Sequence, residues 1–208
     1  MRDSEIKNTV KHGGSIVKIR NRAELADLLN ILSSAIGSLT NPTKLSATFK
    51  SVKQKTISKA TITRYIEYLC DAFLIDSAVR YDIKGKKYID TPVKYYFTDI
   101  GLRNARLNFR QLEETHTMEN IIFNELKIRG FNVDIGVVVV NGRGKDGSSV
   151  RKQYEIDFVC NKGSKRYYTV GLRDPGSGEN GTGAAFLDAD RRCFQENHYY
   201  EGCTSTVL

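Results

Sequence analysis

The sequence lacks several features that would assign it to a specialised class. It contains no tryptophan, three prolines and two methionines, and its longest apolar stretch, residues 137–140, is far too short to cross a bilayer. Residues 1–14 are polar and have no apolar core of a secretory signal. The four cysteines show no CxxC spacing, so we expect reduced thiols and neither a disulfide framework nor a zinc site. These absences predict a cytoplasmic protein without a membrane segment.

Positive charge is abundant, and it is concentrated in the first half of the chain. The 208 residues carry a net charge of +8. Residues 1–110 contain 20 Lys and Arg against 10 Asp and Glu, whereas residues 111–208 contain 12 against 14. A basic face on one domain is typical of a nucleic-acid-binding protein. On charge alone, a solvated basic surface that has no partner fits equally well.

Helical periodicity predicts three helices in this basic half. Apolar residues recur at helical spacing over residues 23–36, and Gly37 can end that helix in a left-handed conformation. Asn41 and Ser58 are suitable N-caps for a second and a third helix. The residues predicted to face inward on these two helices are Leu45, Phe49, Val52, Ile62, Tyr65, Ile66, Leu69 and Phe73.

The outer face of the third helix carries one group of predicted DNA contacts. It begins with Lys59, Thr61 and Arg64, and short polar side chains beside cations suit entry into a major groove. Together with the hairpin that follows, this helix predicts a winged helix-turn-helix domain over residues 20–110. Such domains also serve as protein-binding modules, so the fold leaves both functions open.

The hairpin carries the second group of predicted DNA contacts. Strand-like residues 74–81 and 88–97 flank a tip in which Gly85 is expected to supply a positive φ. The lysines of this tip are Lys84, Lys86 and Lys87. Lysines at a hairpin tip can contact phosphates and position a protein on DNA, although an ordinary solvated hairpin also carries them.

The second half has the element order of a PD-(D/E)xK nuclease, so the overall fold class is α/β. We predict a helix over residues 118–129, a strand over 131–140 and a strand over 153–159. The helix carries Glu119, and Glu155 and Asp157 point to one side of the second strand. In such enzymes carboxylates converge on Mg²⁺ and activate water. Glu119, Glu155 and Asp157 are therefore the candidate catalytic residues, with Asp157 as the candidate metal ligand.

The third strand that this nuclease fold needs is not apparent in the sequence. We expect it near residues 167–172, where residues 168–171 offer no carboxylate, amide or lysine. The edge of residues 153–159 should then be unpaired. Because the metal set is incomplete, we favour a helix-capping role for Glu119 and a solvated strand face for Glu155 and Asp157. No cofactor is expected in this chain, and Mg²⁺ would bind only if the nuclease-like site is active.

Seven segments together resemble one family. It is the prokaryotic AAA-type ATPase family whose C-terminal region is a domain of unknown function with a nuclease-like fold. The resemblance covers about residues 16–168. The segments are residues 38–45, 80–88, 94–105, 119–120, 124–126, 129–134 and 155–159.

The resemblance implies that the chain is a C-terminal fragment of an ATP-binding protein. Residues 1–19 would be the end of an ATPase domain or a linker, and residues 111–168 a truncated nuclease-like domain. No Walker motif is present, so ATP belongs to full-length relatives only, and their ATPase domain is an expected partner alongside DNA. The oligomeric state stays open. The resulting hypotheses are a DNA- or protein-binding module, a Mg²⁺-dependent nuclease, or a nonfunctional gene remnant.

The last forty residues have a different composition. All 17 lysines occur by Lys165, and no isoleucine follows Ile156. A one-base shift near Thr169 permits codons for Ile-Gln-Ser-Ala-Phe-Gly-Ile-Pro, which resembles the way the family continues. We therefore hypothesise that a single-base deletion rewrote residues 169–208 as an aberrant tail. Resequencing the gene tests this, since an intact frame would refute it.

Overall fold

The fold is a mixed α/β arrangement of helices and one large sheet. A computed structural model describes residues 9–12, 15–19, 21–111, 113–143, 149–170 and 185–188. Within these residues the helices are α1 (Arg22–Ser34), α2 (Pro42–Lys53), α3 (Lys59–Asp71), α4 (Ile100–Arg106) and α5 (Glu114–Ile128). The strands are β1 (Thr9–His12), β2 (Ser15–Lys18), β3 (Ile75–Asp82), β4 (Lys87–Phe97), β5 (Asn132–Arg143), β6 (Ser149–Lys162), β7 (Lys165–Val170) and β8 (Ala185–Asp188).

Local side chains set where the first three helices begin. The Asn21 side chain accepts a hydrogen bond from the backbone of α1, and Asn41 accepts one from Lys44 N at 2.8 Å. Ser58 accepts one from Thr61 N at 3.1 Å. Each bond satisfies an N–H group that has no partner inside the helix. The predicted caps Asn41 and Ser58 are confirmed.

Two residues predicted to face inward are exposed instead. Val52 is 63% exposed and Phe73 is 80% exposed. Phe73 follows the end of α3 with φ +55°, so its backbone leaves the helical path and its side chain leaves the apolar face. Gly37 adopts the predicted positive φ, +68°, but it lies three residues beyond the last residue of α1.

The tip of the β3–β4 hairpin differs from the prediction at one residue. Gly85 does not have a positive φ, whereas Lys86 does, at +49°. The carboxylate of Asp82 accepts a hydrogen bond from Gly85 N at 2.9 Å. A Cβ at Gly85 would meet that carboxylate, which is the end of a flexible side chain and can move away, so neither space nor a left-handed backbone requires glycine there.

The chain forms two compact units. The first comprises residues 1–78 and 91–121, and the second comprises residues 79–90 and 122–208. The core of the first unit includes Leu28, Leu32, Ile36, Leu45, Phe49, Ile62 and Leu69. The core of the second includes Phe123, Leu126, Val133, Ile135, Val137, Phe158 and Val159. The domain boundaries predicted from the sequence, at residues 19, 110 and 168, stay predictions.

A six-stranded sheet has the strand order β4-β3-β5-β6-β7-β8 within the described residues. Strands β3 and β5 are parallel, and β5 to β8 are successively antiparallel. The expectation of a missing third strand is therefore wrong, because β7 occupies Lys165–Val170. Its pairing extends to Phe158 and Val159, so this part of the β6 edge is covered. Most of residues 169–208 lie outside the described residues.

The β6 strand contains a bulge at the position of the predicted catalytic aspartate. Asp134 of β5 pairs with Val159, and Gly136 pairs with Ile156. Two residues of β6, Asp157 and Phe158, therefore stand opposite one residue of β5. A bulge of this kind interrupts the alternation of side chains along a strand, so strict alternation along β6 does not continue through Asp157 and Phe158.

None of the helices in the described part of the chain is long and apolar enough to span a membrane. The cysteines described there, Cys70 and Cys160, are free thiols. Burial raises the pKa of Cys160 to about 12, which keeps this thiol protonated and unreactive.

Gly136 lies where the sheet leaves no room for a side chain. A Cβ there would lie 2.8 Å from Ile156 Cβ, 3.0 Å from Val159 Cγ2 and 3.1 Å from Ile83 Cδ1. Gly136→Ala should therefore lower the free energy of unfolding by about 1–3 kcal/mol, the usual cost of overpacking a core. Urea denaturation measures this, and a variant as stable as the wild type would contradict the close approach.

Candidate functional site

The first group of predicted DNA contacts lies at the start of α3, in the first unit. Lys59 and Arg64 are exposed. Thr61 is half-buried, and its hydroxyl lies 2.8 Å from the Ser58 hydroxyl. Thr61 therefore supports the cap at the start of α3. A contact between its hydroxyl and DNA would have to replace the hydrogen bond to Ser58. The exposed face continues to Glu67, so the positive charge is confined to the first two turns.

The second group lies on the β3–β4 hairpin, in the second unit. Lys84, Lys86 and Lys87 are all exposed. The arm leading into the tip is fixed by the parallel pairing of β3 with β5 and by a hydrogen bond from Ile83 N to Val137 O at 2.9 Å. The tip is thus an extension of the sheet of the second unit.

Glu119 has a role that the sequence analysis did not anticipate. Helix α5 begins at Glu114, four residues before the predicted start, so Glu119 is not a cap. Its carboxylate is buried and accepts hydrogen bonds from Lys94 Nζ at 2.8 Å and Tyr96 OH at 2.6 Å. Both partners lie on β4. The contact with Lys94 is an ion pair in which both side chains are buried.

Asn120 attaches α5 to the same strand through the backbone. Its Oδ1 accepts a hydrogen bond from Phe97 N at 2.7 Å, and its Nδ2 donates one to Phe97 O at 2.7 Å. The amide thereby satisfies both polar groups of a strand residue, as a neighbouring strand would. Met118, by contrast, is 51% exposed. The burial of Glu119 and Asn120 beside an exposed methionine is visible only in the structure, and no signal in the sequence of α5 reveals it.

The candidate catalytic residues stay predictions. Glu119 belongs to the first unit, whereas Glu155 and Asp157 belong to the second. Glu155 and Asp157 are half-buried and each has an interaction partner, so neither is a fully solvated carboxylate. In the part of the chain that the structure describes, no group of three or more His, Cys, Asp or Glu side chains could hold a metal ion.

Arg103 is a further residue that sequence reasoning missed. It is completely buried, and it donates from Nε to Ser33 O at 3.0 Å and from Nη1 to Gln111 O at 2.6 Å. Burial lowers the pKa of this guanidinium, and the charge of Glu113 opposes that shift. Its hydrogen bonds to backbone carbonyls join distant segments of the first unit, so its role there is structural.

A closed set of polar contacts joins five strands of the second unit. We call it the five-strand ring, and its members are Tyr81 of β3, Tyr88 of β4, Asp134 of β5, Asn161 of β6 and Arg166 of β7. Arg166 donates from Nη1 to Tyr81 OH and from Nε to Asn161 Oδ1, both at 2.6 Å. Asn161 Nδ2 lies 3.5 Å from Asp134 Oδ2, and Tyr88 OH lies 3.3 Å from the same oxygen. The rings of Tyr81 and Tyr88 meet edge to face, 5.2 Å apart, and close the set.

Asp134 is the buried charge of this ring. Burial raises the pKa of its carboxyl above the ordinary range, while the hydrogen bond from Tyr88 and the charges of Arg166 and Lys127 oppose the shift. The pKa of the Tyr88 phenol is also raised, first by burial and then by the Asp134 charge. The five-strand ring therefore contains one carboxylate whose burial disfavours its ionised form. Its hydrogen-bond donors and the nearby cations offset part of that cost.

The Lys94–Glu119 ion pair should dominate the effect of substitutions in the first unit. Lys94→Met leaves a buried carboxylate without its cation, and it should cost about 3–5 kcal/mol of unfolding free energy. Lys94→Met combined with Glu119→Gln removes both charges and should recover part of that loss. Denaturant unfolding of the single and double variants measures the difference, and a double variant less stable than Lys94→Met would contradict the pairing.

The raised pKa of Asp134 predicts how stability depends on pH. The folded protein holds the proton more tightly than the unfolded chain, so this contribution is complete below the unfolded pKa and is lost as pH rises through the folded pKa. The wild type should therefore lose stability relative to Asp134→Asn over that range. Urea unfolding of both proteins between pH 4 and 8 measures it, and parallel pH profiles would argue against the shift.

Two proteins are similar to this chain over most of its length. A protein of Haemophilus influenzae named "Uncharacterized protein" is 34% identical over 178 residues, and the match covers 81% of this chain and 41% of that protein. An uncharacterized protein of Methanocaldococcus jannaschii is 32% identical over 141 residues, covering 68% of this chain and 29% of that protein. The chain thus spans less than half the length of either relative. No solved structure matches it.

Residues 9–113 match the family described as "Domain of unknown function (DUF8612)". This finding neither includes nor requires an ATPase, so the resemblance to AAA-type proteins stays a prediction. The matched segment amounts to half of the 208 residues, and the chain belongs to this DUF8612 family.

Proposed function

We propose that the chain is a nucleic-acid-binding module that attaches to DNA through phosphate contacts, without an ATP site of its own. The observation that carries this proposal is the exposure of the predicted cations. Lys59, Arg64, Lys84, Lys86 and Lys87 are exposed, and within the described residues none of them forms an ion pair. Mobile, unpaired cations are the groups that can replace the counterions of DNA.

Other basic residues of the chain are committed to internal contacts. Lys53 pairs with Asp27 at 2.7 Å, and Lys94 pairs with Glu119. The contrast matters because a lysine held by a carboxylate offers little net charge to a phosphate. It supports the selection of the α3 start and the hairpin tip as the contact groups.

The order of the elements along the chain and one backbone bridge support the winged-helix interpretation. Three helices precede a β-hairpin, and Thr40, which lies between α1 and α2, forms an antiparallel bridge with Val93 of β4. The two backbone hydrogen bonds of this bridge measure 2.8 and 2.9 Å. A short extended segment between the first two helices, paired with the second hairpin strand, is typical of a winged helix. In that fold the third helix is the element that enters the major groove.

The nuclease-like interpretation of the second half has weaker support. The order α5, β5, β6, β7 agrees with it, and the bulge at Asp157 is of a kind that is common beside active sites. However, Glu119 is engaged by Lys94 and Tyr96. We therefore keep a Mg²⁺-dependent nuclease as an alternative that the binding experiment can reveal, and not as a second proposal.

The salt dependence of DNA binding tests the proposal. The triple variant Lys84→Gln, Lys86→Gln, Lys87→Gln should bind a labelled random-sequence duplex more weakly. The slope of log affinity against log salt should fall by up to about 3, roughly one for each phosphate that the variant no longer neutralises. Lys59→Gln with Arg64→Gln should reduce it by up to about 2 on the same basis. Fluorescence anisotropy at several salt concentrations measures both.

A charge-matched control separates specific contacts from net charge. Arg110, Arg151 and Lys165 are exposed cations outside the hairpin and outside the five-strand ring. Changing all three to Gln removes the same charge and should leave the slope unchanged. A wild-type chain without measurable affinity at low salt would refute DNA binding, and equal slopes in all variants would refute the assignment of contacts. Cleavage of the duplex with Mg²⁺, abolished in Asp157→Ala, would favour the nuclease.

A further inference from the structure

We propose that the five-strand ring orients the basic hairpin tip, so that Tyr88 and Asp134 are positioning residues for the contacts of Lys84, Lys86 and Lys87. This inference rests on the proposed DNA binding through those lysines. All the residues concerned belong to the second unit, and the inference uses contacts within that unit only.

The two arms of the hairpin are held in different ways. The β3 arm pairs with β5 along Arg80, Tyr81 and Asp82, and Tyr81 is buried. The β4 arm begins with Lys87 and Tyr88, which are both exposed, and β3 is its neighbour in the sheet. The hydroxyl of Tyr88 reaches Asp134 of β5, two strands away in the sheet order. This bond therefore ties the β4 arm directly to the body of the sheet.

The buried carboxylate explains why Tyr88 is held at this point. Asp134 is 8% exposed, and a buried carboxylate without donors is costly. Tyr88 OH supplies a donor, although the Tyr88 side chain as a whole is 55% exposed. The position of an exposed residue is thus determined by a buried acceptor. Because Lys87 is its neighbour in sequence, the same bond limits where the tip can move.

The other side of the ring holds the β3 arm. The Arg166 guanidinium lies 4.4 Å from the centroid of the Tyr81 ring and donates to its hydroxyl. Arg166 is fixed in turn by Asn161, which also contacts Asp134. Both arms are thereby fastened to β5, β6 and β7 through one connected set of side chains. A tip held in this way loses less conformational entropy when it docks on a phosphate backbone, which favours binding.

The test compares two variants that each remove one phenolic oxygen. Tyr88→Phe removes the hydroxyl that reaches Asp134 and keeps the aromatic ring. Tyr167→Phe is the matched control, because the Tyr167 ring packs edge to face against Phe131, 5.8 Å between centroids, and its hydroxyl does not belong to the five-strand ring. Tyr88→Phe should weaken binding of a random-sequence duplex by up to about fivefold, because the worth of one ordinary hydrogen bond is the most that orienting the tip can contribute. Tyr167→Phe should bind as the wild type does.

Hydrogen exchange provides a readout that does not depend on DNA. In Tyr88→Phe the amides of residues 83–88 should exchange faster than in the wild type, while those of α3 should keep their protection. If exchange increases but affinity and salt slope stay as in the wild type, the ring holds the hairpin without positioning its lysines, and the inference is overturned. If neither changes, it is overturned as well.

The two proposals fail in distinguishable ways. Wild-type protein that binds no duplex would refute the proposed function, whatever the exchange experiment gives. Wild-type binding that depends on the three tip lysines but is unaffected by Tyr88→Phe would leave DNA binding intact and remove the positioning role.

Discussion

The burial of charged carboxylates is the constraint on which both units of this protein depend. An ionised carboxylate that loses contact with water must gain donors from the protein, or the folded state becomes unfavourable. In the first unit Glu119 gains Lys94 and Tyr96, which fixes the start of α5 against the end of β4. In the second unit Asp134 gains Tyr88 and Asn161. In each case a polar group buried on one element determines the position of side chains on another.

This constraint also explains which parts of the fold could be predicted from the sequence. Helix starts depend on a cap and its near neighbours, so Asn41 and Ser58 were identified correctly. The end of α5 is equally local. Gly130, at φ +79°, donates to Lys127 O, and the next amide reaches back to Leu126 O. Such motifs are complete within a few residues and need no knowledge of the tertiary structure.

The features that could not be predicted depend on residues distant in sequence. Glu119 meets partners 25 and 23 residues away, and nothing local distinguishes it from a helix cap or a catalytic acid. Strand β7 was not predicted, because residues 168–171 lack the metal ligand that we expected in a third strand. Strand formation needs no such ligand, only a neighbouring strand to pair with, and β6 provides one. Phe73 has the spacing of a core residue, but the helix ends before it. Periodicity predicts a face only while the helix continues.

The segments that resemble the AAA-type family contain two kinds of residue: those that the fold uses and those that it leaves exposed. The segments that carry it include Glu119, Asn120, Arg103 and Asp134, which are all buried, and each forms side-chain hydrogen bonds within the fold. A polar residue that the fold needs provides no separate argument for catalysis, because packing alone accounts for its presence. The same segments also include Lys84, Lys86 and Lys87, which are exposed and which the fold uses for no ion pair within the described residues. These lysines are therefore available for the phosphate contacts that we propose, since a polyanion is the partner that positive charge favours.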